Sequence, residues 1–412
     1  MTRDGVSKAG QGRILIYVFP ALFDMVTANV GFVNCVRAAQ LGARPSIVAG
    51  TIAVWSLVYT VVCLILGRYV TPRNAAGWLL AACGSMALCC WTLPFIPGLP
   101  GIYVLSVFCP AAAALFFPAF QVFMKAVDQS SGKPVTYSTG LYTFAWSLGF
   151  SMGPFVAGFL MDLHRNSTGP EPGGWPYAYA LAGAVALVTG GGILRLKSLA
   201  TRPHAAPAPA DGVAVAPACD YSRMPDLAWV GWIGAGAGVV VFSVVRGLFP
   251  VRAVNWLHLS ASTLGTLFFA ASLAQALTGL ALMRSRFWMY RPAPVAAFGA
   301  VGLAGILGFG LAQGLPGLTL SAIAFGTYSG AFFFYLVFHA LTHPRRSAQY
   351  VAINEAVVGL GGIVGPVLGG LLADAYGVSL PYVAGAVVVV TATAWQVQMH
   401  RRYLIPAGLA SR

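Results

Sequence analysis

Asp24 stands in "ALFDMVTANVGFVN", a run with no other charge. Thr27, Gly31 and Asn34 follow it at three, seven and ten residues, so a helix would put all four on one stripe. A stripe of small and polar side chains suits the wall of a water-filled cavity. An ionisable group at the centre of a membrane helix costs roughly 2.5–3.5 kcal/mol on insertion scales, so it is a candidate for a task. The task that fits Asp24 is to take up and release a proton. The alternative is an acid hydrogen-bonded as a tie between helices. Glu355, in "YVAINEAVVG", is a second proton-coupling candidate, and pairing with Arg345 or Arg346 is its alternative. Arg246 also lies within an apolar run. It could bind an anionic group or neutralise an acid, or it could snorkel to the headgroups. Arg37 is expected at the interface.

Aromatic residues extend this candidate cavity. Tyr328 and Tyr335 are seven apart, and His339 falls four further on the same helical face. Tyr142 and Trp146 are four apart on another. Such faces suit amphipathic or cationic solutes, with helix packing or an interfacial belt as the alternative. Gln121 and Lys125 share a face, where Lys125 reads as a topological anchor.

The elements that must position these residues follow from composition. The chain of 412 residues is 58% hydrophobic and 8% charged, against about 25% charged in a soluble domain. Its apolar runs of roughly 20 residues read as transmembrane helices. Twelve spans are expected, at 14–36, 46–67, 76–97, 102–124, 136–161, 177–194, 227–249, 262–283, 293–312, 316–341, 349–373 and 379–399. The fold class is therefore an all-α membrane protein, multi-pass in the lipid bilayer. Basic residues concentrate in the loops on the side of both termini, leaving Arg37, Arg44, Arg165, Arg246 and Arg252 elsewhere. That asymmetry puts both termini in the cytoplasm. It also accounts for the net charge of +14 without nucleic acid, because the soluble segments are too short for a nucleic-acid module.

Other chemistries find little support. The seven cysteines lack zinc-ligand spacing and read as small apolar packers. His339 and His343 are four apart without a third ligand, so no metal and no cofactor is expected. There is no phosphate-binding loop, and an enzyme is not expected. "NST" at Asn166 matches a glycosylation acceptor only in a secretory-pathway host.

One motif occurs twice. "GFSMGPFVAGFLMD" (149–162) returns as "GGIVGPVLGGLLAD" (361–374), each matched position 212 residues on. Gly67 maps onto Gly279 at that offset, Arg246 onto Asn34, and Glu355 onto Thr143. "GLPG" at 98–101 recurs at 314–317, offset by 216. Six spans and six spans joined by a longer Ala- and Pro-rich segment is a parallel-repeat plan. The expected domains are 1–197 and 227–412, with 198–226 as a cytoplasmic linker.

Over nearly its whole length the chain resembles the major facilitator superfamily. Gly140, Gly149, Gly153, Pro154, Ala157 and Gly158 follow what its antiporter branches carry as motif C, with Ala157 where a glycine is usual. Gly361, Gly365, Pro366, Gly369 and Gly370 repeat it, with Ala352 in place of the first glycine. The basic loop motif between spans two and three is eroded, since Thr71 replaces its usual acid. The glycines at this spacing let helix backbones approach closely. The resemblance implies two six-helix pseudo-repeats working by alternating access. It further implies proton-coupled antiport, exporting a small organic solute. Proton-coupled or facilitated uptake of a sugar-like or other metabolite is the second reading. A receptor or scaffold that has lost transport is the third. A monomer in a bacterial inner membrane is expected.

Overall fold

The computed structural model describes residues 15–66, 68–128, 135–163, 173–201, 226–342 and 347–404. Gly67, Asn166, His343, Arg345, Arg346 and Cys219 lie outside them, as do the side chains of Lys125 and Ala352.

Among the described residues, twelve helices are long and apolar enough to cross a membrane. The first half holds α1 (Val18–Gln40), α2 (Pro45–Leu66), α3 (Ala75–Thr92), α4 (Gly98–Asp128), α5 (Val135–Asp162) and α6 (Trp175–Thr201). The second holds α7 (Ala228–Asn255), α8 (Ala261–Arg284), α9 (Pro292–Leu311), α10 (Leu315–Thr342), α11 (Ser347–Tyr376) and α12 (Leu380–Leu404). All twelve expected spans correspond to these helices. The expected linker differs at its start, because α6 runs on to Thr201, and 202–225 lies outside the described residues. We call the face where α1 and α7 begin proximal and the opposite face distal.

Lipid offers no hydrogen-bond partners, so a spanning backbone must satisfy itself, and a helix does so. The sequence then decides which helices lie innermost. Residues of α1 are 78% buried over its most apolar window, against 28% for α12. The chain is an integral multi-pass membrane protein with α1 at its centre.

Packing on the motif helices shows how the halves correspond. A Cβ on Gly153 of α5 would lie 2.5 Å from the Met25 carbonyl oxygen of α1. One on Gly365 of α11 would overlap the Val240 carbonyl oxygen of α7. Met25 and Val240 are therefore equivalent, and they are 215 residues apart, three more than the motif offset. The counterpart of Arg246 is thus Gly31, not Asn34 as the motif offset suggests. Arg37 and Arg252 correspond in the same way.

The halves meet along two seams. In the α5–α8 seam, Gly158 faces Ala261 and Ser262, and Gly265 faces Pro154. In the α2–α11 seam, Gly370 faces Ser46, and Gly362 faces Ser56. The middle glycines of each motif helix therefore pack within its own half and the last glycine packs across the seam, as does Gly140, which faces Met283 of α8. Pro154 and Pro366 lie inside these helices, where each removes one backbone donor.

Both motifs end in an aspartate that caps a helix of the other half. Asp162 accepts from the backbone N–H groups of Ala261 (3.2 Å) and Ser262 (2.9 Å) at the start of α8. Asp374 accepts from the Ser46 N–H (3.2 Å) and from the Ser46 hydroxyl at the start of α2. A carboxylate there satisfies orphan donors and meets the positive end of the helix dipole. The distal face is thus fastened at two equivalent points.

Candidate functional site

The polar stripe of α1 divides. Asp24 is 7% exposed, and the Thr27 hydroxyl lies 3.1 Å from its Oδ1 and 3.0 Å from its backbone oxygen. Two turns on, Gly31 lies against Arg246, because a Cβ there would sit 3.3 Å from an Arg246 Nη. Asn34 does not join them. Its amide donates to Ser106 Oγ (3.2 Å) and its oxygen accepts from the Tyr179 hydroxyl (2.5 Å), tying α1 to α4 and α6. Ten residues turn the helix through nearly three full turns, but Ser106 and Tyr179 claim this side chain for the interior of the first half.

Arg246 sits nine residues before the end of α7, roughly 14 Å at 1.5 Å per residue. It is half-buried, with its guanidinium carbon 4.5 Å from the centre of the Phe150 ring and 5.8 Å from that of Phe242. Phe150 belongs to α5 and Phe242 to α7, so the cation lies between the halves. The ring of Trp146 meets Phe333 of α10 at 5.7 Å, and Phe333 meets Phe242 at 5.8 Å. Trp146, Phe150, Phe242 and Phe333 are all partly exposed in mid-helix. They form an aromatic chamber at the centre of the molecule.

Tyr142 stands proximal of Trp146, close to Gln121 and within electrostatic reach of both Asp24 and Glu355. Glu355 is exposed, and it also acts on Tyr59 and Cys63 of α2. Tyr142 and Glu355 therefore lie on the proximal side of the chamber. On the distal side it is closed by Cys35, Ala39, Val48, Ile52 and Val251, buried together from both halves. The edge-on contact of Phe32 with Phe268 closes it further.

Tyr328, Tyr335 and His339 lie elsewhere. They line a pocket inside the second half with Gly231, Gly299, Thr393, Gln396 and His400. Tyr328 packs against Gly302 of α9, and the Tyr335 hydroxyl donates to the Trp288 carbonyl (3.3 Å). The opposite face of α10, with Gly326 and Gly330, is pressed onto α8, which turns the tyrosine stripe away from the first half. Phe333, on neither stripe, reaches the chamber instead.

The distal arginines are both buried. Arg37 is inside α1, 2% exposed, with its guanidinium 3.9 Å from the centre of the Trp175 ring, so its side chain is buried within the protein near the distal end of the helix. Arg252 donates to the Phe309 (2.9 Å) and Ala312 (2.8 Å) carbonyls, capping the end of α9.

No protein-family model matches the sequence, and neither does any curated protein. Solved structures match closely in shape. The nucleoside transporter NupG superposes with a TM-score of 0.66 at 10% identity, covering 94% of this chain and 98% of its own. A bacterial homologue of the human lysosomal transporter Spinster, inward-facing and occupied, gives 0.64 at 16% identity, covering 98% and 99%. The human organic anion transporter MFSD10 gives 0.60 at 12% identity, covering 94% and 99%. The chain has the major facilitator fold. Within that fold the α1, α5 and α7 residues around Arg246 lie between the two halves.

Several residues of the site carry no sequence signal. Phe150, Phe242 and Phe333 sit among many phenylalanines. Gln275 of α8 bridges Ser147 (3.1 Å) and Ser329 (2.9 Å), joining α5 to α10. Asn29 is 1% exposed, and among the described residues neither its amide nitrogen nor its oxygen has a hydrogen-bond partner.

Proposed function

We propose that this protein is a secondary transporter that moves a small organic solute by alternating access, coupled to protons through Asp24. The observation that supports this reading is a buried carboxylate, Asp24, set near a cluster of aromatic rings and a cation that both halves build. The functions of the structural neighbours, a nucleoside transporter and an organic anion transporter among them, favour transport in general. Glu355, on the proximal side, is the second proton-coupling candidate. The first and second halves act as the two rocking bodies, with both termini cytoplasmic.

The direction of coupling follows from the charge of the solute. A cation competes with the proton for Asp24, so the two exchange, and the motif C resemblance implies antiport and export. An anion is bound more readily once Asp24 is neutral, so solute and proton move together. Arg246 favours this second reading, because it supplies the charge an anion needs.

The test is transport in proteoliposomes under an imposed pH gradient, with nucleosides, sugars, organic anions and organic cations as the panel. Asp24→Asn mimics the protonated acid at nearly the same size. It is expected to keep passive exchange while losing at least tenfold in uphill transport. Uphill transport at the wild-type rate in this variant would remove Asp24 from the coupling.

A further inference from the structure

We infer that Arg246 is the docking point for the anionic group of the solute, and that the solute is an organic anion with an aromatic or apolar body. This rests on the reading of the chamber as a solute path and names the class of solute that the chamber takes. The guanidinium lies too deep to reach the distal headgroups, since its Cα is roughly 14 Å from the end of α7 and its side chain points to Gly31 of α1. Among the described residues it has aromatic faces, and no carboxylate, against it. The nearest acid in its field is Asp24, two helical turns away along α1.

The geometry selects an anion. Phe150 approaches the planar cation at 4.5 Å and Phe242 at 5.8 Å. An aromatic ring offers a guanidinium no carboxylate or carbonyl acceptor, and the N–H donors of a guanidinium match a carboxylate or phosphate in a fork. Gly31 is what makes room, because a side chain there would press on the guanidinium nitrogen at 3.3 Å. Trp146 and Phe333 continue the aromatic wall toward the proximal side, where the body of the solute would lie. Because Phe150 and Phe242 come from different halves, an anion bound at this guanidinium touches both rocking bodies through one residue.

Benzoate is the probe, with benzamide and benzylammonium as neutral and cationic partners of the same size. Binding is measured on the full chain in phosphatidylcholine nanodiscs, so that no anionic lipid supplies the headgroup. Adding phosphatidylglycerol in a second series tells a lipid site from a solute site. The expected result is saturable benzoate binding that neither benzamide nor benzylammonium displaces and that phosphatidylglycerol leaves in place. Arg246→Ala should weaken it at least tenfold and Arg246→Lys by less, since a point charge lacks the fork. Gly31→Val should also weaken it, with the charge retained. No benzoate binding in the wild type, equal displacement by benzylammonium, or loss of binding to phosphatidylglycerol would overturn the proposal. So would unchanged affinity in Arg246→Ala, and if that variant fails to fold, unchanged affinity in both Arg246→Lys and Gly31→Val decides it. Binding without proton-driven transport of any solute would sink the transport reading and leave the site standing. Proton-driven transport of a neutral or cationic solute with no benzoate binding would do the reverse.

Discussion

Where α5 meets α8, the buried amide of Gln275 joins Ser147 of one half to Ser329 of the other. Where α2 meets α11, Gly359 packs on Thr60 at that depth, and about one turn nearer the proximal face lie Cys63 and an exposed Glu355. The distal ends of the two seams are alike, each closed by a glycine contact and an aspartate cap. Their middles are not. A seam filled with satisfied polar groups holds its position, whereas one that exposes a carboxylate can exchange protons with water. The first seam reads as a hinge and the second as the place where chemistry is done, on a shared distal clasp.

The largest effect is expected from forcing the clasp open. A Cβ on Gly158 would lie 2.9 Å from the Ser262 Cα, and one on Gly370 would lie 2.7 Å from the Ser46 Cα. Gly158→Leu and Gly370→Leu should each abolish transport, a loss of more than a hundredfold, while the protein still inserts and runs as a single species on size exclusion. Wild-type rates in both would end the close-approach account.

Removing the aspartate caps tests whether the two distal ends are equivalent. Each cap is worth about 1 kcal/mol, and 1.4 kcal/mol is about tenfold. Asp162→Ala with Asp374→Ala should therefore shift the balance toward the distally open state by more than tenfold, and each single change by about half of that range in logarithm. Spin-label distances between the distal ends of α2 and α8 and their partners report it. If one single change matches the double, the clasp has one working point.

The middle of each seam offers a finer contrast. Glu355→Gln should reduce proton-driven transport several-fold and leave thermal stability unchanged. Gln275→Leu should do the opposite, costing about 1 kcal/mol of stability with driven transport retained in the folded fraction. Reversal of this pattern would exchange the roles assigned to the seams. The smallest effect belongs to Asn29. Replacing this unpartnered amide with leucine removes a desolvation cost, so Asn29→Leu should stabilise the protein by about 1 kcal/mol, read as a rise in melting temperature.

The fold was legible because lipid leaves a chain few options. Twelve apolar runs had to be helices, and the duplicated glycine motif had to be a place of close packing. Asp24 stood out as a lone charge, and Arg246 for the same reason. Orientation about each helix axis was harder to read. Asn34, Tyr328, Tyr335 and His339 each have the residue type of a cavity wall, but partners on α6, α9 and α12 turn them inward. The three-residue difference between the offsets of α1–α7 and α5–α11 hid the link between Gly31 and Arg246. The aspartate caps were invisible for another reason. Asp162 and Asp374 look like ordinary helix ends until the helix beginning opposite each is known.

That Gly31 and Arg246 occupy equivalent positions and touch means both lie near the axis that relates the halves. A residue on such an axis meets its own copy. Two copies of the second half, assembled as a symmetric pair, would press guanidinium against guanidinium in a space that has few counter-charges. Two copies of the first half would leave a hole there with nothing to fill it. Neither half can build this site by pairing with itself. The cation exists at the centre because the two halves are free to differ, and joining them in one chain makes that difference heritable.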